Sequence, residues 1–354
     1  MLRDKISVYT RNINLVESQF LRREFNLILT EINEKNTDII KKTKVCMLAT
    51  TKPSELEEFL INAEPASLVI FLFGNETYDI QTFEYLNKYK EKILHAFVHN
   101  IPKRTSFWIS LRCLLAALYD GGLSYKKSGE NVFRHFKNGI DFMLRNRKIN
   151  FFYSTSDFPY GYADLFANEL EILKLISTDD SLFRNNFSSK LEFNKSTVIS
   201  FFGASGSWNR RLAINKMKNL YPDCNIIFYE NRYKVKNIFS AEKQILKTDY
   251  ATSLIRSKFI LCPPGNLTNR SYRYLESLIM GALPILPPAT IQDNHHWGVW
   301  TEFIKPKHYS WTKCIKKALI MSEEERVIRV SEALYGEFQK IIALNKKLNE
   351  ILGA

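Results

Sequence analysis

The segment from residue 257 to residue 285 constrains most strongly what this chain can fold into. An apolar run at 258–262 leads into a Pro-Pro-Gly loop that ends at Gly265, and a helical pattern follows over 271–280. Gly281 then precedes a second short apolar run at 283–286. Strand, loop, helix, glycine turn and strand in this order predict a unit of an α/β sheet.

The loop and the first helical turn of this segment carry charges that serve no packing role. Arg270, Arg273 and Glu276 lie where free backbone N–H groups and the positive end of the helix gather. This pattern suits an anion such as a nucleotide diphosphate. An ion pair between Arg273 and Glu276 at i,i+3 spacing, or a capping role for the glutamate, is the structural alternative.

The same segment resembles the donor-binding core of the exostosin-like glycosyltransferases. Ser277 stands where that family has alanine, and the skeleton of strand, loop, helix, Glu, Gly and Pro is shared with fucosyltransferases and other GT-B enzymes. The match is clear over 257–285 and weaker back to Phe201. The residues that carry it are Ser257, Phe259, Leu261, Pro263, Gly265, Ser271, Arg273, Glu276, Leu278, Gly281, Pro284 and Ile285.

The C-terminal half alternates strands and helices as expected of a Rossmann-like domain, here assigned to 197–320. A capping box at 322–325 predicts a last helix that reaches about residue 352, because the serine and glutamate side chains satisfy free N–H groups. This terminal helix, 322–354, is a candidate to pack back on the N-terminal domain. The predicted strands are 197–202, 225–229, 258–262 and 283–286, and the predicted helices are 209–220, 249–256 and 271–280.

The N-terminal half, 1–190, shows a similar alternation of strands and helices, which predicts a second Rossmann-like domain. The resemblance implies that this domain would bind the acceptor, the molecule that receives the sugar. The polar segment 178–196 is the expected linker. Two such domains facing a cleft, closed by a C-terminal helix, give the α/β GT-B architecture that the resemblance implies. The predicted strands are 44–49, 67–73, 93–99, 132–136 and 149–153, with helices at 53–62, 105–119 and within 12–41, and a loop at 156–162.

The donor site is expected at the loops that follow two strands of the C-terminal half. Loop amides can face a phosphate there, and arginine side chains can hold its oxygens bidentately. The resemblance implies that the glutamate at 276 contacts the ribose of the donor. For the arginines at 210–211, the alternative is that they form an exposed basic pair with no role in binding. The candidate donor-binding residues are Gly203, Ser205, Arg210, Arg211, Pro264, Gly265, Arg270, Ser271, Arg273 and Glu276.

A general base that deprotonates the acceptor hydroxyl is expected to project from the N-terminal half. His135 follows an arginine in a predicted strand, Asp157 lies in a predicted loop, and Glu76 follows the apolar run at 67–73. A histidine needs little pKa tuning for this role, whereas a carboxylate needs burial or hydrogen bonding. For each of them, a structural or surface role is the alternative.

Composition and missing motifs narrow the function classes. The net charge of +13 favours an anionic partner or a solubility role, and five scattered cysteines indicate neither a zinc site nor a disulfide framework. No D-x-D at a strand end, P-loop, full dinucleotide fingerprint or nucleic-acid motif is present, so no metal, cofactor or nucleic-acid partner is expected. His295, His296 and Trp297 form a loop that either lies near the donor sugar or is merely surface.

The resemblance therefore implies an inverting, metal-independent glycosyltransferase that uses a nucleoside-diphosphate sugar. Its acceptor would be a glycan, in particular a lipid-linked one, in bacterial surface polysaccharide assembly. No apolar run follows the first residues, so a cytoplasmic location is expected, with peripheral contact at the inner face of a membrane left open. The alternative function is a non-catalytic subunit that binds a glycan or nucleotide-sugar and supports another transferase.

Overall fold

The structure is a computed structural model in which the described residues form two compact units, each containing a parallel sheet. In the described part of the chain, the first unit holds the segments up to residue 99, the strand at 155–158 and the chain from Gln339, and the second holds the residues from 195 to Phe338. The described residues are 7–10, 22–24, 28–31, 45–48, 53–65, 68–72, 80–99, 155–158, 195–203, 208–227, 250–263, 273–285 and 311–352.

The first unit is built on a six-stranded sheet in the order β2-β1-β3-β4-β5-β6, and every strand pairs with its neighbours in parallel. The chain crosses to the opposite side of β1 after β2, so the sheet is doubly wound. Its elements are β1 (Ser7–Thr10), β2 (Ile28–Glu31), β3 (Val45–Leu48), α1 (Pro53–Asn62), β4 (Leu68–Leu72), α2 (Ile80–Lys88), a 3₁₀ turn (Lys90–Lys92), β5 (Ile93–His99) and β6 (Thr155–Phe158).

The apolar runs of the sequence form the strands at the core of this unit. Residues 68–71 of β4 are fully buried, as expected of a strand covered on both faces. Phe71 stacks on Phe97 of the neighbouring β5 with ring centroids 4.8 Å apart. The sequence predictions of strands at 44–49, 67–73 and 93–99 and of a helix at 53–62 are confirmed within a residue at each end.

Two sequence predictions in this unit are wrong. Residues 28–31 form β2 and not part of a helix, because Ile28 and Thr30 are β-branched and the strand gains a parallel partner in β1. Residues 156–158 belong to β6 and not to a loop, since Asp157 pairs in register with Val98 of β5. The predictions at 105–119, 132–136 and 149–153 lie outside the described residues.

The second unit contains a four-stranded parallel sheet in the order β10-β9-β7-β8, again with the chain crossing β7 to its other side. Each strand and helix predicted from the sequence here is confirmed over its described residues to within a residue at each end. The elements are β7 (Thr197–Phe202), α3 (Trp208–Leu220), β8 (Asn225–Ile227), the helical segment 250–256, β9 (Ser257–Leu261), α4 (Arg273–Ile279), β10 (Leu283–Ile285), α5 (Trp311–Leu319) and α6 (Glu323–Leu352).

Helix α4 is followed by a glycine in the left-handed conformation, and neighbouring residues donate hydrogen bonds to the carbonyl groups at this end of the helix. Gly281 has φ 71°, and the N–H of Ala282 donates to the carbonyl oxygen of Ser277 at 2.8 Å. Two basic side chains donate to the carbonyls beyond: Arg326 Nη1 to Gly281 at 2.7 Å and Lys195 Nζ to Met280 at 2.8 Å. Positive charge at a helix C-terminus is stabilising, so α4 is fastened at this end.

Helix α6 begins at the predicted cap. The N–H of Glu325 donates to Ser322 Oγ at 3.1 Å, and the fully buried Arg326 bonds Glu323 Oε1 through Nη2 at 2.5 Å. The helix runs 30 residues, with its part up to Phe338 in the second unit and its part from Gln339 in the first.

The buried amine of Lys195 predicts a specific pH dependence of stability. Burial, and then the charge of Arg326, lower the pKa of Lys195 from 10.5 to about 7. The folded protein thus releases this proton at lower pH than the unfolded chain, so the contribution to stability is least favourable below pH 7 and improves between about pH 7 and 10.5. The free energy of unfolding of wild type relative to Lys195→Met should therefore rise as pH increases.

Denaturant unfolding at about pH 6 and about pH 9 measures this difference. Lys316→Met, which changes an exposed lysine of α5, is the matched control. If the difference in the free energy of unfolding between wild type and Lys195→Met stays constant over this range, the lowered pKa of Lys195 is contradicted.

Candidate functional site

The candidate site lies at the carboxyl ends of β7 and β9, between which the order of the second sheet reverses. β7 ends at Phe202 and is followed by Gly203, and β9 ends at Leu261 and is followed by Cys262. Open parallel sheets bind ligands in the crevice outside the strand ends at such a reversal, because the loops diverge to the two faces there. The polar residues predicted from the sequence follow these two strands.

Gly203 allows the Arg273 side chain to approach the backbone closely at this site. Its φ of 142° is a conformation that side chains rarely permit, and a Cβ there would lie 2.9 Å from Cζ of Arg273 and even closer to its Nη2. The guanidinium thus rests directly against the Gly203 backbone. Residues 70 positions apart in the sequence meet here, at the end of β7 and the start of α4.

The Arg273 guanidinium is held by packing and keeps donor capacity. Its Cζ lies 5.6 Å from the centre of the Phe201 ring, a distance that suits a cation–π contact. Its Nη1 is buried, and within the described part of the chain it has no hydrogen-bond partner. A fixed, permanently charged group with an unused donor is well suited to an anionic oxygen.

Glu276 lies one turn further along α4 and is 5% exposed. Tyr250 Oη, at the start of the helical segment 250–256, donates a 2.6 Å hydrogen bond to Glu276 Oε2. Burial, and then the negative charge of Glu276, raise the pKa of Tyr250 well above its usual range. The phenol therefore remains a hydrogen-bond donor to the carboxylate at any physiological pH.

Aromatic rings surround these charged groups. Tyr250 packs edge-on against Phe202, with centroids 5.6 Å apart, while Phe201 lies beneath the guanidinium. Charge-assisted hydrogen bonds are stronger in such weakly polar surroundings than in water. The arrangement can hold a ligand that presents an anionic group to Arg273 and a hydroxyl to Glu276.

Cys262 is positioned near this site but is chemically quiet. Burial raises the pKa of its thiol to about 12, so it stays protonated at neutral pH and is a poor nucleophile. Its Sγ lies 4.0 Å from Ser277 Oγ, which donates in turn to the carbonyl oxygen of Arg273. Ser277 thus binds the backbone of the first turn of α4 and faces the end of β9.

Several predicted donor residues come together in the structure. Gly203 and Arg273 touch, and Glu276 follows on the same helix. Arg210 and Arg211 occupy the first turn of α3, and each is partly buried. Ser205, Pro264, Gly265, Arg270 and Ser271 lie outside the described residues, as do His295, His296 and Trp297.

The candidate bases remain predictions. Asp157 lies in strand β6 of the first unit, and this corrects its predicted loop position. His135 and Glu76 lie outside the described residues.

The sequence reasoning missed the aromatic residues of the site. The sequence pattern places Phe201 and Phe202 in a strand and Tyr250 in a helix, without indicating a role in the site. The position of the two phenylalanines at the end of the strand, just before a glycine loop, is the available signal. Nothing local marks Tyr250, because its contact with Glu276 joins residues 26 positions apart.

No family model, curated protein or solved structure matches this chain. Among the described helices, none combines the length and apolar character needed to cross a bilayer. No group of three or more histidine, cysteine, aspartate or glutamate side chains suited to a metal ion occurs in the described segments.

The close approach at Gly203 predicts an asymmetric response to two alanine substitutions. Gly203→Ala should destabilise the protein by about 1–3 kcal/mol, because the new Cβ meets the guanidinium and the backbone is strained. Gly336→Ala, within α6, should stabilise it by about 0.5–1 kcal/mol, because a Cβ there has nothing within 4 Å. Denaturant unfolding measures both, and equal effects would contradict the contact.

Proposed function

We propose that this chain is a glycosyltransferase that moves a sugar from a nucleoside-diphosphate donor to a glycan acceptor, with inversion and without a metal. The observation that carries the proposal is the buried Nη1 of Arg273, which has no hydrogen-bond partner among the described residues and lies at the reversal point of the second sheet. It lies where the resemblance of 257–285 to exostosin-like enzymes expects the donor. The fold supports the proposal at the level of parallel α/β units, and the GT-B arrangement is part of the proposal.

Arg273 would hold the diphosphate. When the bond from C1 of the sugar to the phosphate oxygen breaks, negative charge grows on the leaving diphosphate. A guanidinium already fixed against Gly203 and the Phe201 ring can bind this charge without rearranging. The N-terminus of α3 and its Arg210 and Arg211 would add positive potential from the other loop.

Glu276 would hold the ribose of the donor. A carboxylate can accept hydrogen bonds from vicinal hydroxyl groups, and its helix places it one turn from Arg273. The donor would then lie along the first turn of α4, with the phosphates at Arg273.

The acceptor hydroxyl would attack C1 from the face opposite the leaving group. Its proton would pass to a base from the N-terminal half of the chain, for which Asp157, His135 and Glu76 are the candidates. The excess positive charge of the chain suits an anionic donor and a phosphorylated, lipid-linked acceptor at a membrane surface.

Removing the charges of α4 should weaken donor binding. Arg273→Ala and Glu276→Gln are each expected to raise the Kd of the nucleoside diphosphate by about tenfold or more, because a charge-assisted hydrogen bond is lost. Arg273→Lys should recover only part of the affinity, since lysine lacks the planar fork. Calorimetry measures the Kd, with the nucleoside diphosphate chosen from UDP, GDP and CDP by its effect on the melting temperature.

Matched controls change charges of the same type on exposed positions. Arg256→Gln removes an exposed arginine of the segment 250–256, and Glu324→Gln an exposed glutamate of α6, and both should leave the Kd unchanged. If Arg273→Ala and Glu276→Gln bind as tightly as these controls, the donor site is misplaced.

Substituting the true base should instead depress turnover while donor binding is kept. His135→Ala, Asp157→Asn and Glu76→Gln, assayed for release of nucleoside diphosphate with a glycan acceptor, should include one variant with turnover lowered by about a hundredfold. Normal turnover in all three would remove these candidates. Donor binding by wild type without any transfer or donor hydrolysis would favour the non-catalytic subunit over the enzyme.

A further inference from the structure

We infer that Tyr250 is a positioning residue that orients Glu276 and thereby makes the site select ribonucleotides over deoxyribonucleotides. This inference rests on the proposed function of the same site. It adds a residue that the sequence pattern did not indicate, Tyr250, and assigns it the orientation of the carboxylate that would contact the ribose.

The geometry begins with the hydrogen bond between the two side chains. Tyr250 Oη donates to Glu276 Oε2 at 2.6 Å, a length typical of an O–H group bonded to a carboxylate. This bond fixes the rotation of the carboxyl group about its last torsion, which is otherwise soft. A carboxylate restrained in this way presents its oxygens in one direction.

Tyr250 is itself held in place. Its ring packs edge-on against Phe202 at the end of β7, and its hydroxyl reaches Glu276 on α4. The residue thus links the segment before β9 to both elements that border the site. Because the phenol stays protonated, its proton remains available to the Glu276 carboxylate.

The consequence concerns the hydroxyl groups of the ligand. A carboxylate held in one orientation forms a hydrogen bond with a ligand hydroxyl at the matching position. When that hydroxyl is absent, the hydrogen bond and its contribution to affinity are lost. Sites built to bind a hydroxyl reject the analogue without it more strongly than apolar pockets reject an extra group. We therefore expect Glu276, set by Tyr250, to discriminate a ribose from a deoxyribose.

The test compares the Kd of the best-binding nucleoside diphosphate with those of its 2′-deoxy and 3′-deoxy analogues, measured by calorimetry. Wild type should bind the ribonucleotide about tenfold or more tighter than at least one analogue. In Tyr250→Phe this ratio should fall towards one, because the carboxylate loses its fixed orientation.

The chain offers a close control on the same helix. Tyr274, also in α4 and buried, donates to Glu337 Oε1 at 3.1 Å, so Tyr274→Phe removes another buried bond from tyrosine to glutamate. It should lower the melting temperature much as Tyr250→Phe does, yet keep the wild-type ratio. A purely structural role of Tyr250 predicts that both variants keep the ratio.

A second variant covers the case in which Tyr250→Phe does not fold. Glu276→Asp keeps the charge but withdraws the carboxylate from the Tyr250 hydroxyl, and its ratio should also approach one. A wild-type ratio in whichever of these variants folds overturns the positioning role and leaves the proposed function intact. Failure of wild type to bind any nucleoside diphosphate overturns the proposed function and this inference together, whereas binding with a ratio near one overturns only the inference and the ribose contact.

Discussion

The second unit depends on one close contact, in which the guanidinium of Arg273 rests on the backbone of Gly203. The contact brings the first turn of α4 over the end of β7, across the point where the strand order reverses. Any side chain at 203 would separate them. The Phe201 ring completes the seat of the guanidinium, so a single glycine and a single aromatic residue determine where the positive charge of the site lies.

Much of the second unit could be predicted from the sequence because its signals are local. β7, β9 and β10 are short apolar runs between glycine or proline loops, and the capping serine at 322 marks the start of α6. The charges at 273 and 276 were recognisable because no apolar pattern accounts for them. These features need only the residues of one element and its flanking loops.

The remaining features depend on contacts between distant parts of the chain. β2 became a strand because β1 pairs with it, and β6 because it extends the sheet next to β5, and neither pairing is visible in the local pattern. The bond between Tyr250 and Glu276 has the same origin. Short segments with mixed patterns are decided by tertiary pairing, so sequence periodicity alone assigned them wrongly or overlooked them.

Helix α4 is only 7 residues long, yet it is anchored at both ends. The carbonyl oxygens of the two residues that follow it accept hydrogen bonds from Lys195, just before β7, and from Arg326 of α6, while its first residue lies against Gly203. A helix this short would fray in isolation. Because both ends of α4 are held in this way, the helix is already ordered before a ligand binds. A ligand that contacts α4 would therefore bind with a small penalty in conformational entropy.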